Sequence, residues 1–147
     1  MDGRVAMYGP SSTYIIDLGS KDPFGARHEL PPLNAAGDQL LPQRWSADGK
    51  LLYGCNWRQR CTHTITYDPA TRQYQALDVE EGAMPLRDGH RLLVQREGRL
   101  FVWDRATRRS TPVVGVEPAD FALSPDERWL YFTVEADEAD VWLAELK

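Results

Sequence analysis

The feature that most constrains this chain is a repeat. Aligned on Asp48, Asp88 and Asp126, the segments WSADGKLLYG (Trp45 to Gly54), PLRDGHRLLVQ (Pro85 to Gln95) and ALSPDERWLYF (Ala122 to Phe132) recur at intervals of 40 and 38 residues. Each aspartate is followed two positions later by Lys50, His90 or Arg128 and four positions later by Leu52, Leu92 or Leu130. Ser46 and Ser124 stand two positions before their aspartates, and Leu86 takes that place in the middle copy. A second mark follows the first: TYDPATRQY and VWDRATRRS align on Asp68 and Asp104, 36 residues apart, and share Thr71 and Thr107 three positions on. A period near 40 with strand-like content points to stacked four-stranded sheets, the blades of a β-propeller.

Each mark has a physical role. Asp48-Gly49, Asp88-Gly89 and Asp126-Glu127 separate pairs of apolar runs. A carboxylate can bond its own backbone turn there, and glycine accepts a positive φ, so all three read as hairpin turns. The Asp68–Thr71 and Asp104–Thr107 segments read as turns that compete with ladder pairing. Between turns, runs such as Leu100–Trp103 and Trp129–Val134 are apolar on both alternating faces, as expected of strands buried between neighbouring blades. The strands fall at 5–8, 13–18, 28–30, 41–45, 51–55, 63–67, 74–77, 83–86, 91–95, 100–103, 111–114, 121–123, 129–134 and 140–146, with a long turn-rich loop over 19–40. This predicts an all-β chain forming an open arc of about three and a half four-stranded antiparallel blades. Residues 1–40 form a partial first blade plus loop, 41–80 and 81–116 complete blades, and 117–147 a three-stranded last blade. The first blade lacks its inner strand and the last its outer one, so the expected partners are missing blades of the same polypeptide or a second copy that closes a ring.

Several function classes are disfavoured. A net charge of −5 argues against a nucleic-acid binder. With a mean hydropathy of −0.50 and no run of 18 apolar residues, no membrane insertion is expected. No G-x-S-x-G, G-x-x-x-x-G-K-[ST] or H-E-x-x-H motif is present, and His28, His63 and His90 are scattered, so no catalytic, cofactor or metal residue is assigned. Cys55 and Cys61, six apart in GCNWRQRC, fit either a disulfide or two free thiols. The acidic run Glu135, Asp137, Glu138 and Asp140 reads as a solvated hairpin loop. Residues 90–110 hold six arginines against Glu97 and Asp104, and residues 117–147 hold nine acids against Arg128 and Lys147, candidate steering patches. The candidate partner-binding residues are Trp57 and Arg58, an aromatic and a cation in a turn.

SPDERWLYF and WSADGKLLY resemble the Ser-Pro-Asp-Gly-Lys-x-Leu-x-Phe element of TolB-like propellers, with the Asp-x-x-Thr-Arg element that closes the third strand. Glu127 stands where that family has Gly, and Ala47 where it has Pro. Trp103-Asp104 is also similar to WD-type repeats, without their Gly-His element. The final stretch FALSPDERWLYFTVEADEADVWLAELK is similar to the last blade of TolB-like propeller regions of bacterial receptor-like kinases and regulators. The TolB-like resemblance implies a non-catalytic interaction or sensor scaffold, in the periplasm or outside the cytoplasm if the parent protein is TolB-like. The cytoplasm is expected if the chain is complete as written. The alternatives are an accessory propeller of an enzyme, such as an oligopeptidase gate or kinase sensor region, and a propeller glycan lyase or hydrolase.

Overall fold

The computed structural model describes residues 3–79, 83–113, 118–124, 126–134 and 141–145, the last segment as backbone only. Among the described residues there are fourteen strands: β1 (Arg4–Tyr8), β2 (Thr13–Asp17), β3 (His28–Glu29), β4 (Leu40–Trp45), β5 (Leu52–Asn56), β6 (Thr64–Asp68), β7 (Gln73–Ala76), β8 (Met84–Pro85), β9 (Arg91–Arg96), β10 (Arg99–Asp104), β11 (Arg109–Pro112), β12 (Asp120–Leu123), β13 (Trp129–Thr133) and β14 (Val141–Glu145). A 3-10 turn, Trp57–Gln59, lies between β5 and β6. The strands form four antiparallel meanders in chain order, of three, four, four and three strands. These are blades 1 to 4 of an open arc.

The turns identify the position of each strand within its blade. β2 ends in Asp17, whose Oδ1 accepts the Gly19 amide at 2.8 Å, the same local bond that Asp68 and Asp104 make with Ala70 and Ala106. β2 is therefore the third strand of its blade, and the first position is the one not filled. In blade 4 the three strands correspond to the first three.

Three apolar clusters join the blades face to face. Leu40, Leu52 and Tyr67 of blade 2 meet Ile15 and Leu30 of blade 1. Tyr53 of blade 2 meets Leu92 and Val94 of blade 3 across Leu77 and Val79. Leu93 and Leu100 of blade 3 meet Leu130 and Phe132 of blade 4. Strands β5 and β9, which lie between two clusters, are buried on both faces, as the unbroken apolar runs led us to expect. β13 departs from that expectation: Leu130 and Phe132 are buried, but Tyr131 is 45% exposed. The outer flank of blade 4 has nothing packed on it among the described residues. Blade 1 likewise leaves Val5 and Met7 exposed on the flank away from blade 2.

Polar bonds reinforce these seams. Thr13 Oγ1 donates to the Leu40 carbonyl at 2.5 Å, Arg105 reaches the Tyr53 hydroxyl at 3.3 Å, and Gln95 Nε2 donates to the Pro118 carbonyl at 2.8 Å. The strand expected at 28–30 is present as β3, which pairs only Tyr14 with Glu29 and Ile15 with His28 and lies within the turn-rich 19–40 segment. The acidic run 135–140 lies outside the described residues.

Candidate functional site

In an antiparallel meander the first and third connections lie at one end of the sheet and the second at the other. The repeat turns therefore collect on one face of the arc. On that face, Ser46 Oγ donates to Asp48 Oδ1 at 2.7 Å and accepts the Leu51 amide at 2.9 Å, while Asp48 Oδ1 accepts the Lys50 amide at 3.1 Å. Ser124 and Asp126 repeat this with Trp129 and Arg128. The middle copy, which has Leu86 in place of serine, solves the same problem differently. Asp88 Oδ1 takes both the His90 and the Arg91 amides at 2.9 Å. Gly49 and Gly89 sit at φ +70° and +72°, and Glu127 occupies the same left-handed position at φ +58°.

The repeat carboxylates of that face are satisfied within their own turns. The Ser46 hydroxyl and then the Lys50 amide hold the Asp48 carboxyl below its ordinary range, and Ser124 and then Arg128 do so for Asp126. The amides of Ala70 and Thr107, respectively, lead the same effect at Asp68 and Asp104. At Asp88 burial pushes upward, but the Arg91 side chain and the two amides outweigh it. Thr71 and Thr107 contribute their amides to these turns, at 3.4 and 2.8 Å. Glu127, where the repeat led us to expect glycine, uses its side chain to accept the Arg87 amide of blade 3 at 2.9 Å, clasping two adjacent turns.

The opposite face carries the second-to-third-strand loops and the connections between blades. Here blade 2 presents its longest hairpin loop. Cys55, at the end of β5, is disulfide-bonded to Cys61, with Cα atoms 4.8 Å apart. Asn56 caps the intervening 3-10 turn, its Oδ1 accepting the Arg58 amide at 3.0 Å, and its carbonyl accepts the Cys61 amide at 2.9 Å. Beneath lies a polar hub that no motif or repeat marks. Buried Asp38 accepts from Asn34 Nδ2 at 2.9 Å and Asn56 Nδ2 at 3.0 Å, and lies 3.6 Å from Arg58 Nε. The Asn56 and Asn34 amides, more than Arg58, hold the Asp38 carboxyl below its ordinary range. Trp57 is 60% exposed on top of this platform, with Arg58 and Arg60 beside it.

The predicted site residues thus divide between two faces. Ser46, Asp48, Gly49, Asp68, Thr71, Asp88, Gly89, Asp104, Thr107, Ser124 and Asp126 lie on the turn face, and Trp57, Arg58, Cys55 and Cys61 on the other. The basic run of residues 90–110 is divided the same way. Arg96 and Arg99 flank the β9–β10 turn at one end, while Arg91, Arg105, Arg108 and Arg109 lie at the other, so linear proximity does not make one patch. Asp38 and Asn34 had a readable signal in Asn34-Ala-Ala-Gly-Asp38, a segment rich in turn formers. Among the described residues, no three His, Cys, Asp or Glu side chains gather as a metal-ligand group, and no helix is long and apolar enough to cross a membrane.

Four meanders packed face to face, with turns on one side and a braced loop on the other, define a propeller arc. Its architecture is the TolB-like β-propeller. The chain superposes on TolB from Acinetobacter baumannii with a TM-score of 0.69 at 15% identity, over 99% of this chain and 40% of that one. An oligogalacturonate lyase in complex with manganese gives 0.65 at 16% identity, over 100% and 46%. The oligogalacturonate lyase of Vibrio parahaemolyticus gives 0.53 at 15%, over 97% and 48%. The chain therefore spans less than half the length of each of these proteins. No protein-family model matches the sequence, and no curated protein matches it.

Proposed function

We propose that this chain is a non-catalytic interaction scaffold, a segment of TolB-like propeller that binds a protein partner through the face bearing Trp57 and whose end blades are covered by further blades or by a second copy. The observation that carries this reading is the difference between the two faces. On the turn face the backbone donors and repeat aspartates satisfy one another. On the other, a disulfide, an asparagine cap and the Asp38 hub brace a loop in order to hold an aromatic side chain 60% exposed. Leaving a tryptophan in water forgoes roughly 2 kcal/mol of burial. Trp and Arg on a rigid support are the residue types that dominate protein interfaces. The open flanks, with Val5, Met7 and Tyr131 exposed, support the second half of the reading.

The test is cross-linking capture from the source organism, comparing the wild-type chain with Trp57→Ala. The expected result is one specific partner whose affinity falls at least about tenfold in Trp57→Ala, the loss typical of a hot-spot residue, with the melting temperature unchanged. Reducing the Cys55–Cys61 bond weakens the same complex. A partner retained in full by Trp57→Ala, or turnover of a glycan by the purified chain, contradicts the proposal.

A further inference from the structure

The loop between Asn56 and Thr64 carries Trp57, Arg58, Arg60 and His63 and no acid, in a chain of net charge −5. Residues 57–60 are all exposed, while Cys55, Asn56, Cys61 and Thr64 at its base are buried. The Arg60 amide closes the 3-10 turn by donating to the Trp57 carbonyl at 2.9 Å. Such a turn eclipses positions three apart, so Trp57 and Arg60 stand one above the other along it. Arg58 meets Asp38 through Nε at 3.6 Å, beyond hydrogen-bond range, and its side chain is 70% exposed. That contact does not consume the donor fork of the Arg58 guanidinium.

Arg60 stands where a side chain costs the fold something. Arg60 and Cys61 both lie at φ +54°, and among the described residues no other two consecutive non-glycine residues share a positive φ. Glycine enters that region freely, whereas a Cβ is disfavoured there. Cys61 is needed for its bond to Cys55. The turn needs only the amide of residue 60, which glycine would supply equally well. Strain kept at an exposed residue points to a role outside the fold. The indole of Trp57 offers a flat apolar surface, and guanidinium groups beside it pair with carboxylates in a bidentate fork. The net charge of the chain disfavours a phosphate polymer as the anion.

We propose, resting on the reading of this loop as a protein-binding site, that its partner presents an acidic peptide segment, with an aromatic or aliphatic side chain against Trp57 and carboxylates on Arg58 and Arg60. Selection of phage-displayed random peptides on the whole chain tests it, with the Trp57→Ala chain as counter-selection and fluorescence anisotropy of the synthetic peptides as the measure of affinity. The enriched peptides are expected to place Asp or Glu beside an apolar residue. Their affinity should fall at least about threefold as salt rises from about 0.1 M to about 1 M. Arg58→Gln should weaken them at least about fivefold. Arg60→Gly should do the same while raising the melting temperature, a pair of effects that a merely structural arginine would not give. Peptides that need Trp57 but carry no acidic residues, or whose affinity is unchanged in both arginine variants, overturn the acidic partner and leave the Trp57 reading standing. Absence of any peptide that needs Trp57 overturns both. Displacement of an acidic peptide by a lower concentration of single-stranded oligonucleotide would assign the loop to phosphates and overturn a peptide partner.

Discussion

At the scale of the residue, the repeat aspartates do the same work with different help, and that difference predicts their cost. In the Ser46 and Ser124 turns the serine carries the amide five positions on, and the aspartate carries another. Asp88 carries both amides alone. Urea denaturation should therefore rank Asp88→Ala as more destabilising than Asp48→Ala, with Ser46→Ala costing about 1 kcal/mol, as for a lost side-chain cap. The same carboxylates set the response to acid. Their folded pKa values lie below the unfolded value of about 3.9, so their contribution is complete above that pH and is lost as pH falls through the lower folded values. The urea midpoint should hold between pH 7 and 5 and drop toward pH 3, less steeply in a variant with Asp48, Asp68 and Asp104 changed to Asn. Glu127 offers a second residue-scale test. Glu127→Ala keeps the left-handed strain and loses the bond to Arg87, whereas Glu127→Gly loses the bond and relieves the strain. Glu127→Gly should thus be the more stable of the two by about 1 kcal/mol.

At the scale of the element, most strands were readable because each repeat turn marks where one ends and the next begins. The two-residue strands β3 and β8 mark the limit of that reading. β8 pairs only Met84 with Leu93 and Pro85 with Leu92, and proline cannot donate to a ladder. The third copy of the Asp turn, at Asp17, escaped the period because the preceding blade is joined by a longer connection, placing it 51 residues before Asp68 instead of 36. The Asp38 hub escaped because its members, Asn34, Asp38 and Asn56, come from a blade connection and a strand end that no periodicity links. The exposure of Trp57 was legible from its turn context, but the Asp38 hub beneath its loop was not. One close contact inside an element yields a firm prediction. Gly54 of β5 lies against the register shift between Pro42 and Arg44, and a Cβ there would stand 2.3 Å from the Leu41 carbonyl oxygen. Backbone cannot yield as a side-chain tip can, so Gly54→Ala should cost on the order of 3 kcal/mol in thermal or urea unfolding. A neutral effect would mean that β4 and β5 are not paired in this register.

At the scale of the whole molecule, the chain is one arc of four blades with three sealed seams and two open flanks. The seams are built from side chains such as Leu40, Leu92, Leu93, Leu100 and Leu130, each with 0% exposure. The end flanks present Val5 and Met7 on blade 1 and Tyr131 on blade 4. Apolar sheet faces of this kind are covered in stable proteins. The arc form was legible because a period near 40 divides the chain into three and a half units, whereas the identity of what covers the flanks is written in no repeat. Multi-angle light scattering of the 147-residue chain over a range of concentrations tests the arc most directly. The mass is expected to rise with concentration above 16.7 kDa, and to return to that value when Met7→Asp places a charge on the flank of blade 1. A mass of one chain at every concentration, unchanged by Met7→Asp, would contradict it.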